Sequence, residues 1–121
     1  MAIMGAAGRM GKMLIEAVSG DDNARLTGAV VRPDSSLKGA DAGELAGQGR
    51  LGVMLAGSLE DIIDDFDVLI DFTTPALTLD NLAICAEYGK RLVIGTTGFN
   101  EEQLKTLEGY ASTVPFVFAA N

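Results

Sequence analysis

Gly5-Ala6-Ala7-Gly8-Arg9-Met10-Gly11 follows a short apolar run, residues 1–4, and leads into an amphipathic stretch. Met10, Met13, Leu14, Ala17 and Val18 recur there at helical spacing, and Gly20 stands where the chain turns out. The pattern predicts a strand, a glycine turn and a helix N-terminus in direct succession. Such a junction gathers free backbone N–H groups and the positive end of a helix dipole at one point, which favours a bound anion. Gly5 permits the tight turn, Gly8 lets an anion approach the backbone, and Gly11 lets the helix pack close to the sheet. A glycine inside a helix gives up about 1 kcal/mol of propensity relative to alanine, so Gly11 needs a packing reason.

The spacing GxxGxxG is a variant of the dinucleotide fingerprint, and in a strand-turn-helix setting it reads as a pyrophosphate site; the competing reading is a structural turn. Working outward, residues 26–32 read as a second strand closed by Pro33 and Asp34. Residues 34–52 form a glycine-rich loop with a short helical turn around 41–46, and residues 53–55 read as a short strand. Ser58 then caps a helix whose apolar side is Leu59, Ile62, Ile63 and Phe66. Residues 68–72 form an apolar strand interrupted only by Asp71, of the kind covered on both faces. Thr74-Pro75 starts the next helix and Gly89 ends it. Residues 91–95 are another such strand. Asn100 with Gln103 caps a helix carrying Leu104, Leu107 and Ala111 inward, and residues 116–120 close the series. Strands alternating with helices give an α/β fold, a Rossmann-like, doubly wound, mostly parallel sheet covered on both sides.

The 121 residues form one domain, 1–121, able to bury about two-thirds of the unfolded surface. A formal charge of −8 offers no basic face to nucleic acid. No apolar run is long enough to span a membrane, and no cleavable leader pattern is visible. The single Cys85 excludes an internal disulfide, points to the reducing cytoplasm, and in its apolar setting reads as a buried, inert thiol. With no histidine, the usual general acid/base and the usual transition-metal ligand are missing. Glu60, Asp61, Asp64, Asp65 and Asp67 read as a solvated helix side rather than a metal cage, so no metal site and no catalytic residue is assigned within this chain.

Ligands of parallel sheets collect at the carboxyl ends of the strands. Those ends hold Gly5, Ala6, Ala7, Gly8, Arg9 and Met10; Arg32; Phe72 and Thr73; Gly95, Thr96 and Thr97; and Ala119, Ala120 and Asn121. They supply glycines, hydroxyls, an arginine and an amide, but no nucleophile-base pair. The position where an acidic residue binds the adenosine ribose is Val31, followed by Arg32. A guanidinium suits a 2′-phosphate, so the expected cofactor is NADPH by preference, with NADH second. A short-chain dehydrogenase shares the glycine spacing but needs Tyr-x-x-x-Lys, whereas Tyr88 is followed by Leu92 and Tyr110 by Val114 at that distance. A stand-alone nucleotide-binding sensor without catalysis remains as the alternative.

Five segments in one order carry a resemblance: the glycine turn, Gly39-Ala40-Asp41-Ala42-Gly43-Glu44-Leu45, Ile70-Asp71-Phe72-Thr73-Thr74-Pro75, Gly95-Thr96-Thr97-Gly98-Phe99, and Val117-Phe118-Ala119-Ala120-Asn121. Together the sequence resembles the nucleotide-binding half of bacterial 4-hydroxy-tetrahydrodipicolinate reductases (dihydrodipicolinate reductases). The resemblance implies an NAD(P)H-dependent reduction in lysine and diaminopimelate biosynthesis, by a cytoplasmic homotetramer. It implies that residues 5–10 hold the pyrophosphate and that Arg32 meets the adenosine ribose or its phosphate. Gly95, Thr96 and Thr97 would border the nicotinamide and its ribose, with Ala119, Ala120 and Asn121 close to the ring. Many members carry Asp or Glu at the Val31 position, and that departure supports NADPH. The family's second domain, with a His-His motif, a catalytic histidine and lysine and the dicarboxylate substrate site, would begin soon after Asn121. A last segment would return to complete the first domain, and the short first strand suggests missing N-terminal sequence. The chain is accordingly read as a fragment that is inactive by itself.

Overall fold

The computed structural model describes residues 1–118. Its elements are β1 (Ala2–Met4), α1 (Arg9–Ser19), β2 (Gly28–Val30), α2 (Ala42–Leu45), a 3-10 helix (Glu60–Asp65), β3 (Val68–Asp71), α3 (Pro75–Tyr88), β4 (Arg91–Ile94), α4 (Glu101–Gly109) and β5 (Phe116–Phe118). The strands form one parallel sheet in the order β2-β1-β3-β4-β5, with Ile3 opposite both Ala29 and Ile70. From β1 the chain goes to one side to make β2, then crosses β1 to make β3. The loops after β1 and β3 therefore part at a switch point, where a parallel sheet opens a crevice.

Successive strand residues face opposite ways, and the core divides accordingly. Ala2, Val30, Leu69, Leu92 and Ile94 pack with the 3-10 helix, α3 and α4 through Ile62, Phe66, Leu82, Cys85 and Leu107. Ile3, Ala29 and Ile70 face the other way and meet Ile15 and Val18 of α1 and Ala42 of α2. The caps are where the sequence puts them. Thr74 Oγ1 accepts the Leu77 N–H at 3.4 Å with Pro75 in the first turn, and Gly89 closes α3 in the left-handed region at φ +69°. Asn100 and Gln103 exchange reciprocal bonds of 2.8 and 2.9 Å.

Several expectations are corrected. The buried stripe of α1 is Gly11, Ile15 and Val18, while Met10 and Met13 are exposed, Met13 by 58%. The closest point of the helix to the sheet is its glycine, which carries no apolar weight in a periodicity reading, so the stripe lies off the expected one. In α4 only Leu107 is buried; Leu104 is exposed, and the helix ends before Ala111. The second strand is shorter than expected, and residues 53–55 make only isolated bridges, Met54 to Asp41 with Ala56 joining Val30. Residues 60–65 wind as a 3-10 helix rather than an α-helix, although Ser58 Oγ does accept the Asp61 N–H at 3.2 Å. β5 lies at the sheet edge with Val117 62% exposed, so cover on both faces does not extend to it.

Asp41 organises the long loop. Its carboxyl accepts N–H groups from Leu51 (3.0 Å), Glu44 (3.0 Å) and Gly52 (2.7 Å), capping α2 and closing residues 41–52 on themselves. The Leu51 N–H above all, helped by those of Glu44, Gly52 and Gly43 and opposed by burial, holds the carboxyl below its ordinary value of 3.8. A lowered folded value means that the carboxylate's contribution is present above the unfolded value and is lost as pH falls through the folded one. Protection of the Leu51 and Gly52 amides, relative to their intrinsic exchange rates, is expected to fall in the wild type as acid protonates the Asp41 carboxylate. Asp41→Asn should remove that pH dependence. Unchanged protection through the acid range would contradict this role for Asp41.

Candidate functional site

The glycine turn is fixed from both sides. Gly5 is in the left-handed region at φ +73°, and the Ala6 N–H donates to the Val30 carbonyl at 3.0 Å, tying the turn to β2. A Cβ at Gly11 would lie 2.2 Å from the Gly5 carbonyl oxygen and 2.7 Å from Ala6 Cα. Gly11 is therefore required by backbone, as expected of a helix pressed against the turn. Gly8 differs: its Cβ would meet only the Gly5 oxygen, at an ordinary 3.4 Å. The protein does not itself need glycine there, and the open side faces what lies over the turn.

Gly8 is also the N-cap of α1 and offers no side-chain acceptor, and the first turn has no acidic residue. The N–H groups of the first turn lack intrahelical partners. Thr74 and Asn100 supply side-chain acceptors at α3 and α4, whereas α1 keeps its donors and its positive dipole end for an outside anion.

A cleft of about 1020 Å³ opens at the switch point. Gly5, Ala7 and Gly8 line one wall, Arg32 with the loop after it another, and Phe72 and Thr73 a third. Arg32 is exposed and has no carboxylate within ion-pair distance among the described residues. Val31 is 5% exposed and packs into the core under α1, while it also lines the cleft beside Arg32. Ala6 is buried in the turn, while Arg9 and Met10 are exposed at the start of α1 and do not line the cleft.

Gly95, Thr96 and Thr97 lie one strand further, outside the cleft wall. Gly95 is explained by its neighbour, because a Cβ there would enter the Phe72 ring at 2.0–2.4 Å. Thr97 is exposed, but Thr96 is 2% exposed with its hydroxyl engaged inside the protein. Ala119, Ala120 and Asn121 lie outside the described residues.

The sequence reading missed Asp71, Thr78 and Asn81, all buried. Asp71 Oδ2 accepts from Asn81 Nδ2 at 2.9 Å, and Oδ1 from the Thr73 N–H at 3.0 Å and the Thr73 hydroxyl at 2.5 Å. Two signals for them exist in the sequence. Asp71 breaks an apolar strand, and Thr78 and Asn81 occupy the same helical stripe as Leu82 and Cys85. Burial, with nearby Asp71 adding and Lys90 opposing, pushes the Cys85 thiol up to about 11, so it is protonated at neutral pH and no nucleophile.

The family described as dihydrodipicolinate reductase, N-terminus, matches residues 1–121. The 4-hydroxy-tetrahydrodipicolinate reductase of Chromohalobacter salexigens is 58% identical over the whole chain, which covers 45% of that protein. That of Pseudomonas fluorescens is also 58% identical, with 46% of it covered. The chain thus spans just under half the length of the curated relatives it matches. Among solved structures, dipicolinate-bound dihydrodipicolinate reductase from Paenisporosarcina sp. TG-14 superposes with TM-score 0.69 at 29% identity, over 91% of this chain and 42% of that one. Biliverdin reductase from Synechocystis sp. PCC 6803 superposes at 0.71 with 20% identity, over 96% of this chain and 36% of that one, and so shares the fold.

Proposed function

The chain belongs to the family of dihydrodipicolinate reductase N-terminal domains, and on that footing we propose that it is the cofactor-binding part of an NAD(P)H-dependent 4-hydroxy-tetrahydrodipicolinate reductase. The observation that carries the reading is the meeting of three features at one cleft. These are the uncapped N-terminus of α1, the bare Cα of Gly8 and Arg32, which has no ion-pair partner among the described residues. Residues 5–10 receive the pyrophosphate, with donors from the first turn of α1 and Gly8 leaving room for its approach. Arg32 takes the 2′-phosphate, which makes NADPH the preferred cofactor and NADH the second. Phe72 and Thr73 line the path towards the β4 tip, where Gly95, Thr96 and Thr97 define the nicotinamide end, and the family resemblance assigns Ala119, Ala120 and Asn121 to the ring. The nicotinamide, when bound, supplies a hydride. This chain contributes binding and orientation, and a small cyclic unsaturated dicarboxylate is held by the second domain of a cytoplasmic homotetramer. The chain has no histidine, and the proton donor is assigned to the second domain.

Arg32 gives the sharpest test. A charge-assisted contact to the 2′-phosphate favours NADPH by about 1.5–3 kcal/mol, or roughly ten- to a hundredfold. Calorimetric titration of Arg32→Ala is expected to show that loss for NADPH and little change for NADH. Equal losses for both would place Arg32 on a part the two cofactors share. Because Val31 is buried, Val31→Asp costs stability as well as changing selectivity, and Arg32→Ala is the cleaner variant.

A further inference from the structure

We infer that Asp71, Thr78, Asn81 and Thr96 form a buried positioning device that locks the tips of β3 and β4 together and so fixes the nicotinamide end of the cofactor site. The inference rests on the cofactor reading above and deepens it. Its centre is the Thr96 hydroxyl, which accepts the Thr73 N–H at 3.0 Å and the Thr78 hydroxyl at 2.8 Å and reaches the Asp71 main-chain carbonyl at 3.3 Å. A hydroxyl offers one donor and two acceptor sites, so these three bonds exhaust it. Thr96 has no capacity left for a ligand, and neither it nor Thr78 borders the cleft.

The bonds join three separate elements. Asp71 and Thr73 belong to the tip of β3, Thr78 and Asn81 to α3, and Thr96 to the tip of β4, where the Gly95 N–H also donates to the Asp71 carbonyl at 2.8 Å. The Thr73 N–H is held twice, by Asp71 Oδ1 and by Thr96 Oγ1. That backbone lines the cleft, so its position is set by groups that touch no ligand. For stability alone, apolar side chains of the same shape serve as well as a satisfied polar group. What the polar set adds is direction: each bond fixes one tip relative to another, and small misplacements of a positioning surface are costly. Thr96 thereby becomes a positioning residue rather than a cofactor contact.

The test compares NADPH with 2′,5′-ADP, which keeps the adenosine half and the 2′-phosphate but has no nicotinamide. Thr78→Val removes the donor to Thr96 at nearly constant shape. By calorimetry it is expected to weaken NADPH by about five- to tenfold and 2′,5′-ADP by less than about twofold. Thr78→Ser, which keeps the hydroxyl, should bind both as the wild type does. Thr96→Val is the second variant, with a loss for NADPH of about tenfold or more and the same sparing of 2′,5′-ADP. Equal weakening of both ligands, or unchanged NADPH affinity in both valine variants, would overturn the positioning role alone. Wild-type protein that takes up neither ligand would overturn the cofactor reading and the positioning role with it.

Discussion

Gly11→Ala is expected to destabilise the protein although it places alanine, the best helix former, inside a helix. The new Cβ would sit 2.2 Å from the Gly5 carbonyl oxygen and 2.7–2.8 Å from Ala6 main-chain atoms. All of these are backbone, so no side chain can swing aside, and α1 must move off the turn. Overpacking of this kind costs about 1–3 kcal/mol and occasionally more, against about 1 kcal/mol gained in propensity. The contact lies at the severe end, and a net loss of about 2 kcal/mol lowers Tm by roughly 10 °C in a domain of this size. NADPH affinity should fall as well, because the displaced helix carries the donors that meet the pyrophosphate. Gly109→Ala is the control of opposite sign, since nothing lies within 4 Å of its added Cβ. It should be neutral or stabilising by about 0.5 kcal/mol. Thermal melts of the two variants decide the matter, and a Gly11→Ala protein that melts at or above the wild type would refute close helix-turn packing.

Asp71→Ala should cost more. It leaves Asn81 Nδ2 and the Thr73 hydroxyl without their acceptor in or beside the core, and the Thr73 N–H with the Thr96 hydroxyl alone. Each donor stranded from water costs about 1–3 kcal/mol, so a loss of about 3 kcal/mol or more is expected even after partial relaxation. Asp71→Asn should be milder. Its amide oxygen can keep the Thr73 bonds, and the Asn81 amide can turn its own oxygen towards the new NH2 group. Denaturant unfolding of both variants checks this ordering, and equal stabilities would contradict the hydrogen-bond assignment.

How far the molecule was legible follows the locality of each signal. The caps at Thr74-Pro75 and Asn100-Gln103 are short-range chemistry, and both stand where the sequence places them. The parallel sheet was readable from the alternation of element types. The buried stripe of α1 was not, because the closest approach is made by a glycine and only the partner backbone at Gly5 and Ala6 reveals it. Residues 116–118 carry a core strand's composition, yet Val117 is exposed because exposure depends on what neighbours the strand, not on its residues. At the site, the glycine turn and Arg32 could be named from motif and strand position. The role of Thr96 could not, since its hydroxyl is engaged by Thr73 and Thr78, 23 and 18 residues away in sequence. Asp71 was visible as a carboxylate inside an apolar strand, but its partner Asn81 lies ten residues on, on a separate helix, with no local motif joining the two.

The most direct test of the cleft as an NADPH site is a titration of isotopically labelled protein with NADPH, followed through its backbone amide resonances. Saturable, one-to-one shifts are expected at Gly8, Arg9 and Met10, at Arg32 and at Thr73, with α4 unaffected and 2′,5′-ADP reproducing only the shifts around the turn and Arg32. No saturable shift, or shifts that leave the turn after β1 untouched, would contradict it.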